Sequence, residues 1–394
     1  MLESKESKNR IKLVYCIPSL HSPGGMERVL TTKVNYLSRF HNYEITLITT
    51  EGSGEKSYFK LSNTIKVVHF DINFDRHYNL SMRRKLVLHY QKMRQYQKAL
   101  HNYLSTNNVD ICISLFGKEI DFIAKMNDQS LKVGEIHFAK NYHYQFAVAN
   151  DKGWLYRIVG IVRTKQIEYR TKRLKKIIVL TKADENHWLK SHTNILQVYN
   201  PVQRLDLAKA PLKAKRVIAI GRLDAQKGFD VLITIWSKLS LQYSNWVLDI
   251  FGSGEQYDYL QDLIIDHQLE DRVFLRGSSQ HITKELVSSS LLLMTSKYEG
   301  FGLVLLEAMA CGLPCIAFDC NHGPREIIID GSNGFLIPNN DIEMFTSKLS
   351  LLLEDFDLRV KFGNQARITT ERFSLDRIMD QWNELFLGLV NARG

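Results

Sequence analysis

Short apolar runs alternate with segments of helical periodicity along most of the chain. The first run, Ile11–Ile17, is rich in β-forming side chains and stops at Pro18, and a glycine-bearing loop then leads into a helical pattern from Met26 to about Phe40. Strands that alternate with helices favour a parallel, doubly wound sheet. The same alternation predicts six more strands before residue 200: Glu44–Thr50, Ile65–Phe70, Asp110–Leu115, Lys132–His137, Lys176–Leu180 and Ile195–Tyr199.

A second α/β unit begins after Asn200-Pro201 and a polar stretch that ends near Lys215. We expect a first domain over residues 1–200, a second over 201–373, and a final helix over 374–394 that packs back on the first domain. Two such units joined by a short linker leave a cleft between the carboxyl ends of their strands, where these folds bind ligands. The second unit has a helix after Gly228 and strands at Arg216–Ile220, Trp246–Phe251, Arg272–Leu275, Leu291–Thr295, Cys315–Phe318 and Gly334–Ile337.

Composition adds limits to this picture. A chain of 394 residues with 44% hydrophobic and 24% charged residues fits two or three globular domains and excludes a disordered protein or a small disulfide scaffold. The start of the chain lacks the apolar core of a signal peptide, and the apolar run 300–318 is interrupted by Glu307 and Pro314. We therefore expect a reduced, cytoplasmic protein without a membrane span, in which Cys311, Cys315 and Cys320 are core residues rather than zinc ligands.

Charge is distributed unevenly between the two halves. Residues 1–200 carry 32 Lys and Arg against 17 Asp and Glu, whereas residues 201–394 carry 20 against 25. Residues 83–98 contain six basic residues and no acid, and residues 157–176 contain eight and one acid, with apolar and aromatic residues between them. This pattern predicts basic amphipathic helices, which either dock on an anionic bilayer or form a solvated charged face.

Two carboxylates, Glu299 and Glu307, lie eight residues apart in an apolar stretch. On one straight helix they would point about 80° apart. A loop through Gly300 and Gly302, followed by a helix from near Leu303, would bring both to one ligand and expose backbone N–H groups that favour an anion. The alternative is that Glu299 caps this helix and Glu307 is solvated on its outer face.

Arg222 and Lys227 lie in the loop after the first strand of the second domain, at the carboxyl edge of its sheet. A guanidinium fork and an ammonium there can grip a diphosphate, although surface cations are usually only solvated. Gly24-Gly25 opens a helix after the first strand of the chain, but matches neither the dinucleotide fingerprint nor a P-loop. His137 closes a predicted strand, and its spacing alone leaves a structural and a functional role open.

The combination of these motifs resembles the family 4 glycosyltransferases of bacterial cell-envelope and polysaccharide type. The resemblance covers essentially the whole chain, and it implies a GT-B fold, a retaining transfer from a nucleotide sugar and no catalytic metal. The matching elements are Gly24-Gly25-x-Glu27, Gly221-Arg222-x4-Lys227-Gly228, Glu299-x7-Glu307 and Asp330-Gly-x-Asn-Gly-Phe-Leu-Ile337.

The same resemblance implies a role for each site residue. Arg222 and Lys227 would hold the diphosphate, Glu299 the hydroxyls of the donor sugar and Glu307 the ribose hydroxyls, with His137 near the reacting sugar. We expect the segment 322–327 to be mainly structural, with a minor donor role. The remaining donor-site positions are Gly25, Gly252, Gly254, Phe301, Gly302 and Leu303, largely through their backbone, and Arg276 near the base.

The expected activity is that of a hexosyltransferase that moves a hexose or N-acetylhexosamine from a UDP-sugar to a hydroxyl of a glycan or lipid-linked acceptor, without a metal or other cofactor. If the basic helices bind lipid, the enzyme would be peripheral on the inner face of the plasma membrane. A nucleotide-sugar epimerase of the same architecture is the alternative. A nucleic-acid-binding protein is a second, weaker alternative, because no known binding motif accompanies the basic half.

Overall fold

The computed structural model describes residues 10–41, 43–52, 54–74, 81–202, 208–320 and 322–393. Within them, a first parallel sheet has the strand order β3-β2-β1-β4-β5-β6-β7. Its strands are β1 Ile11–Ile17, β2 Tyr43–Thr49, β3 Lys66–His69, β4 Ile111–Ser114, β5 Leu131–Glu135, β6 Lys176–Val179 and β7 Ile195–Gln197.

A second parallel sheet has the order β10-β9-β8-β11-β12-β13. Strand order reverses between β1 and β4 in the first sheet and between β8 and β11 in the second, and ligands bind doubly wound sheets at such switch points. The predicted pair of doubly wound domains is confirmed. The second set of strands is β8 Arg216–Ile220, β9 Val247–Phe251, β10 Val273–Gly277, β11 Leu291–Met294, β12 Cys315–Asp319 and β13 Gly334–Pro338.

Helices connect the strands and cover both sheets. Those of the first half are α1 Gly25–Phe40, α2 Met82–Thr106, α3 Tyr142–Ala149, α4 Trp154–Thr171 and α5 Lys182–Leu189. Those of the second half are α6 Phe229–Ser237, α7 Tyr257–Asp266, α8 Ile282–Val287, α9 Leu303–Ala310, α10 Pro324–Ile327, α11 Ile342–Glu354, α12 Phe356–Thr369 and α13 Leu375–Asn391. Within the described residues, none of these helices combines the length and apolarity needed to cross a bilayer.

The last helix, α13, packs against the first sheet. Its apolar face joins the core cluster that contains β1, β2 and α1. Two hydrogen bonds fix its orientation, from Tyr36 Oη to Asp376 at 2.7 Å and from Tyr43 Oη to Asn383 at 2.8 Å. The chain therefore crosses between the two domains a second time before it ends.

Two predicted boundaries need correction. β5 ends at Glu135, so His137 lies two residues past the strand, in the loop before α3, rather than closing the strand. The basic stretch 157–176 is not one helix, because α4 ends at Thr171 and β6 begins at Lys176. All five cysteines are buried and free, as predicted for core residues.

Candidate active site

Two helix N-termini face each other across the two domains. Helix α1 begins at Gly25 and helix α9 at Leu303, and a methyl group added to Gly25 would lie 3.2 Å from Leu303 Cδ1. Gly302 precedes α9 with a φ of +93°, a left-handed conformation that glycine adopts without strain. Because both termini offer free N–H groups and a positive dipole end, the cleft between them suits an anion with several oxygens.

Lys227 and Glu299 meet beside these termini. Lys227 Nζ lies 2.6 Å from Glu299 Oε1, and Ser296 Oγ donates to the same oxygen at 2.7 Å. The two residues belong to the loops after β8 and β11, which are neighbours at the switch point of the second sheet. The N-cap of α9 is Gly302, without a side-chain bond, so the alternative in which Glu299 caps this helix is wrong.

Arg222 lies in the same loop as Lys227 but takes no part in the Lys227–Glu299 ion pair. Its guanidinium donates to Gln226 Oε1 at 3.0 Å and lies 3.1 Å from Asp224 Oδ2, with 69% of its side chain exposed. Gln226 in turn donates to the carbonyl of Tyr298 at 3.0 Å, which ties this loop to the one that carries Glu299. Arg222 is therefore a solvent-facing cation at the rim of the cleft.

Glu307 points across the cleft to Arg28. Arg28 Nη1 lies 2.6 Å from Glu307 Oε1, and only 17% of the Glu307 side chain is exposed. Burial raises the pKa of Glu307, and the nearby Arg28 guanidinium opposes that rise. The alternative that places Glu307 on an outer, solvated face is wrong. Sequence reasoning missed Arg28, although it stands in the first turn of the helix that Gly24-Gly25 opens.

His137 is held by a buried ion pair. Its Nε2 lies 3.0 Å from Glu135 Oε1, and the other carboxylate oxygen of Glu135 accepts from Lys33 Nζ. Glu135 and Lys33 are both almost fully buried, and the Lys33 ammonium lies 3.8 Å from the ring centroid of Trp382 in α13. Burial alone would raise the pKa of Glu135, but Lys33 and His137 lower it to about 2, so Glu135 is ionised.

An ionised Glu135 fixes the tautomer of His137. A carboxylate can only accept, so Nε2 must carry the hydrogen of this bond. Nδ1 has no hydrogen-bond partner among the described residues and is left for a ligand. The loop of His137 also touches the donor-side loop, because a methyl group on Gly300 would overlap the carbonyl oxygen of His137. Both domains thus contribute to one site.

Sequence comparisons identify the family. A model of the glycosyl transferases group 1 matches residues 203–369. The amylovoran biosynthesis glycosyltransferase AmsD of Erwinia amylovora is 30% identical over 385 residues, which cover 95% of this chain and 99% of that protein. The chain belongs to the group 1 glycosyltransferases. An uncharacterized glycosyltransferase of Haemophilus influenzae is 29% identical over 375 residues, or 94% of this chain and 98% of that protein.

Solved structures show that this glycosyltransferase has the GT-B fold. TarM superposes with a TM-score of 0.78 at 19% identity and covers 95% of this chain and 98% of its own. Sucrose-phosphate synthase from Thermosynechococcus elongatus gives 0.81 at 17% identity, with 97% and 100% covered. At these identities the likeness extends to the fold alone, and it confirms the predicted pair of facing Rossmann-like domains.

The glycines of the second domain allow close contact between two loops of the glycosyltransferase. Gly252 has a φ of +150° and follows β9, and a methyl group on it would overlap the carbonyl oxygen of Gly221. A methyl group on Gly254 would overlap the carbonyl oxygen of Leu223 in the same way. These two glycines therefore bring the loop after β9 against the loop that carries Arg222 and Lys227.

Arg276 and Phe301 are engaged with the protein itself. Arg276 Nε donates to Asp249 Oδ1 at 2.7 Å, and about half of the Arg276 side chain is exposed. The ring of Phe301 is buried against Tyr199, with ring centroids 5.8 Å apart. Phe301 thus offers only its backbone to the cleft, as the resemblance implies. The Arg276 side chain is held by Asp249, so it would approach a base without losing further conformational freedom.

The segment 322–327 ties the two domains of the glycosyltransferase together. The Glu326 carboxylate accepts from the backbone N–H of Lys182 at 2.7 Å and from Tyr199 Oη at 2.8 Å. Helix α10 begins with Pro324 in its first turn, a position where proline is well tolerated. These contacts fit the mainly structural part that the sequence assigns to this segment.

Proposed function

We propose that the protein is a retaining, metal-independent family 4 glycosyltransferase that uses a UDP-sugar. The observation that carries this proposal is the pair of facing N-termini of α1 and α9, with the Lys227–Glu299 pair beside them and Glu307 at the far side. This arrangement offers positive potential to a diphosphate and carboxylates to sugar and ribose hydroxyls. An enzyme that breaks a sugar–diphosphate bond needs both.

Three solved relatives support UDP as the carrier of the donor sugar. TarM of S. aureus has been solved with UDP, fondaparinux and alpha-GlcNAc-glycerol. Anabaena HepE has been solved with UDP and glucose, and the pneumococcal O-GlcNAc transferase GtfA with UDP and GlcNAc. In this chain Glu307 would accept from the ribose hydroxyls once the nucleotide displaces the Arg28 side chain.

The residues suggest how the bond is broken. Lys227, Arg222 and the two helix ends would stabilise the leaving diphosphate, which itself takes the proton of the acceptor hydroxyl on the same face of the sugar. Glu299 would exchange its contact with Lys227 for hydroxyls of the sugar. His137, held by Glu135, would lie near the oxocarbenium-like sugar. Catalysis then rests on positioning and electrostatics rather than on a carboxylate nucleophile.

Relatives suggest an acceptor in the cell envelope. AmsD is named for amylovoran biosynthesis, and a relative from Staphylococcus aureus is a poly(ribitol-phosphate) alpha-N-acetylglucosaminyltransferase, 33% identical over 259 residues that cover 65% of this chain and 50% of that protein. We propose a glycan or lipid-linked acceptor that the first domain receives at an anionic membrane surface.

The surface of the first domain supports this membrane position. The N-terminal parts of α2 and α4 present large apolar side chains to solvent, each 58–68% exposed: Leu86, Val87, Tyr90, Trp154, Leu155, Tyr156 and Val159. Arg83, Arg84 and Lys85 are exposed beside the α2 group. Further along α4 the cations are already paired, because Arg163 and Arg170 both contact Asp121 and Lys165 contacts Glu168. Apolar insertion at α4 and charge at α2 would therefore act together.

The activity is tested by transfer of labelled sugar to membrane-glycan extracts in EDTA, with UDP-glucose, UDP-galactose and UDP-N-acetylglucosamine in turn. Lys227→Ala should lower kcat by about 10²–10³-fold, the loss that follows removal of one group stabilising a developing anion. Lys238→Ala is the matched control, because Lys238 forms a Lys–Glu pair with Glu343 on the surface of the same domain. Equal activity of the two variants would contradict the proposed site.

Retention is tested by NMR of the product formed from an α-linked UDP-sugar. An α-linked product supports a retaining transferase, and a β-linked product overturns retention while leaving the transfer itself intact. An epimerase would instead return a UDP-linked sugar of altered configuration when no acceptor is present.

A further inference from the structure

Three potential metal ligands from the two domains meet outside the donor cleft. Asp184 and His187 lie three residues apart in α5 of the first domain, and His322 lies between β12 and α10 of the second. Their donor atoms all lie within 4.8 Å of one another. In the part of the chain that the structure describes, this is the one cluster of His, Cys, Asp and Glu with such spacing.

The cluster is incomplete as it stands. His322 Nδ1 lies 3.6 Å from Asp184 Oδ1, beyond hydrogen-bond distance, and it is buried without a partner among the described residues. The Asp184 side chain is only 3% exposed. Asp184 accepts a hydrogen bond from the backbone N–H of Lys140, whereas His322 Nδ1 has no partner among the described residues. A buried polar atom without a partner is unfavourable, so a ligand at His322 Nδ1 would be favoured.

We propose that Asp184, His187 and His322 bind a divalent cation of the zinc class at the contact between the domains. Two imidazoles and one carboxylate form a donor set typical of Zn²⁺, with water at the open position. Zinc–nitrogen bonds are about 2.0–2.1 Å, so donor atoms at the observed spacing need only small side-chain rotations to reach one ion. The imidazole rings of His187 and His322 are nearly parallel, 9° apart, with centroids separated by 6.4 Å.

The charges nearest the cluster leave room for a cation. Lys140 donates to the backbone carbonyl of His187, but its Nζ also lies 2.5 Å from Glu168 Oε1, so its charge is compensated. Arg325 is paired with Asp319 at 2.6 Å. Glu326 adds a carboxylate near Asp184 and His322, whereas Lys190 adds an ammonium near His187. The cation would therefore be held by its own three donors.

The ion would clamp the cleft loops rather than take part in transfer. Asp184 Oδ1 accepts from the backbone N–H of Lys140 at 3.2 Å, three residues after His137. The backbone of His322 pairs with that of Glu299 as an isolated parallel bridge. One ion thus ties the loop of His137 to the loop of Glu299. This proposal rests on the three side chains and does not depend on the identity of the donor.

The experiment is a titration of the full-length, chelator-treated protein with Zn²⁺ by calorimetry and with Co²⁺ by visible absorption. Wild type should bind one equivalent, with a Co²⁺ spectrum of nitrogen and oxygen ligation. His187→Ala and His322→Ala should each weaken binding on the order of 100-fold or more, because loss of even a supporting contact costs about 10–100-fold. His267→Ala is the control, since His267 is exposed in the second domain.

Thermal stability tests whether the ion bridges the two domains. Zn²⁺ should raise the Tm of wild type and of His267→Ala but not that of His322→Ala, while all three keep the same circular dichroism spectrum without metal. Equal Zn²⁺ affinity of wild type and His322→Ala would overturn the bridge between domains. Equal affinity of wild type and the double variant His187→Ala/His322→Ala would overturn the site. Asp184→Asn keeps the shape of Asp184 and its bond with Lys140 and should also lose binding, which separates ligation from folding.

Discussion

The imidazole of His137 is held by a carboxylate whose charge depends on a buried lysine. Lys33, Glu135 and His137 form a chain of contacts, and the Trp382 ring covers the lysine. An ionised partner fixes the orientation and the tautomer of the ring, as in other carboxylate–histidine pairs. Glu135 is therefore a positioning residue whose effect reaches the cleft through His137.

Glu135→Gln tests this arrangement. The amide keeps the shape of Glu135 but loses the charge, so we expect kcat to fall on the order of 10²-fold, the loss that follows when a group at the reacting centre is misplaced by about 1 Å. KM for the donor should change much less than kcat, because His137 is expected beside the reacting sugar rather than the nucleotide. Steady-state kinetics with varied UDP-sugar measures both parameters.

Asp128→Asn is the control for a merely structural loss. Asp128 lies just before β5 and pairs with Lys132 at 2.6 Å, at the end of this strand opposite to Glu135. This variant should lose stability while kcat and KM stay unchanged. If Glu135→Gln, like Asp128→Asn, lowers the stability of the protein but leaves kcat unchanged, Glu135 has no positioning role.

The same pair predicts the acid stability of the protein. The pKa of Glu135 falls from 4.5 to about 2 on folding, because its ionised form is stabilised by Lys33 and His137. Its contribution to the free energy of unfolding is present above about pH 4.5 and is lost as the pH falls through about 2. Urea denaturation at several pH values should show a shallower acid decline for Glu135→Gln than for wild type, and parallel declines would contradict this account.

Individual side-chain partners were the hardest features to predict from the sequence. Glu299, Glu307 and Lys227 could be singled out by their motifs, but their contacts with one another and with Arg28 depend on how two domains meet. Lys33 could have been singled out from the sequence, because it lies on the apolar face of α1 between Leu30 and Leu37. A lysine at such a position has to find a buried partner.

At the scale of single elements, the glycine before α6 sets how closely two loops approach. Gly228 has a φ of +62°, and a methyl group there would overlap the carbonyl oxygen of Thr295, in the loop that carries Glu299. Gly331 has a similar φ of +69° but open space around it. A comparison of alanine variants at Gly331 and Gly228 therefore separates the cost of backbone strain from the cost of steric overlap.

Gly331→Ala should cost about 1–2 kcal/mol of unfolding free energy, the price of a left-handed non-glycine residue. Gly228→Ala should cost at least about 1 kcal/mol more, since the overlap must be relieved by moving one loop, and it should also weaken donor binding. Urea denaturation of both variants measures the difference. Equal losses of unfolding free energy in Gly331→Ala and Gly228→Ala would show that the two loops are not in tight contact at Gly228.

The exposed ends of α2 and α4 predict a membrane contact. Leu86→Asp and Leu155→Asp each place a charge among exposed apolar side chains and should reduce flotation with anionic vesicles. Leu241→Asp is the control, because Leu241 is 94% exposed in the second domain. Equal recovery of all three variants, or of wild type with neutral and anionic vesicles, would contradict the membrane position.

The elements themselves were well predicted from the sequence. Strands β1 and β8 have the predicted limits, and the others differ by at most two residues at either end. Most of these strands are buried on both faces, so each appears as an unbroken apolar run with clear ends. The carboxyl end of β5 was missed because Ile136, whose N–H still bonds to Ile178 of β6, extends the apolar run beyond Glu135.

At the scale of the whole molecule, two domains share one cleft and are linked by contacts on several sides. Arg28–Glu307, Glu326 with Lys182 and Tyr199, and the covering helix α13 all join the first domain to segments from the second half of the chain. Since the proposed nucleotide site overlaps the Arg28–Glu307 contact, we expect donor binding and domain closure to be coupled. The sequence predicts the two domains but not these contacts between them.

A thermal-shift panel of UDP, GDP, ADP and CMP in EDTA shows directly whether this cleft is a UDP-sugar site. A ligand at 100 times its Kd stabilises the folded state by about 2.7 kcal/mol, which gives a readable change in Tm. UDP should stabilise wild type and the exposed-surface control Glu270→Ala, whereas Glu307→Ala should lose the response. No response of wild type to any nucleotide, or an undiminished response of Glu307→Ala, would contradict a UDP-sugar site in this cleft.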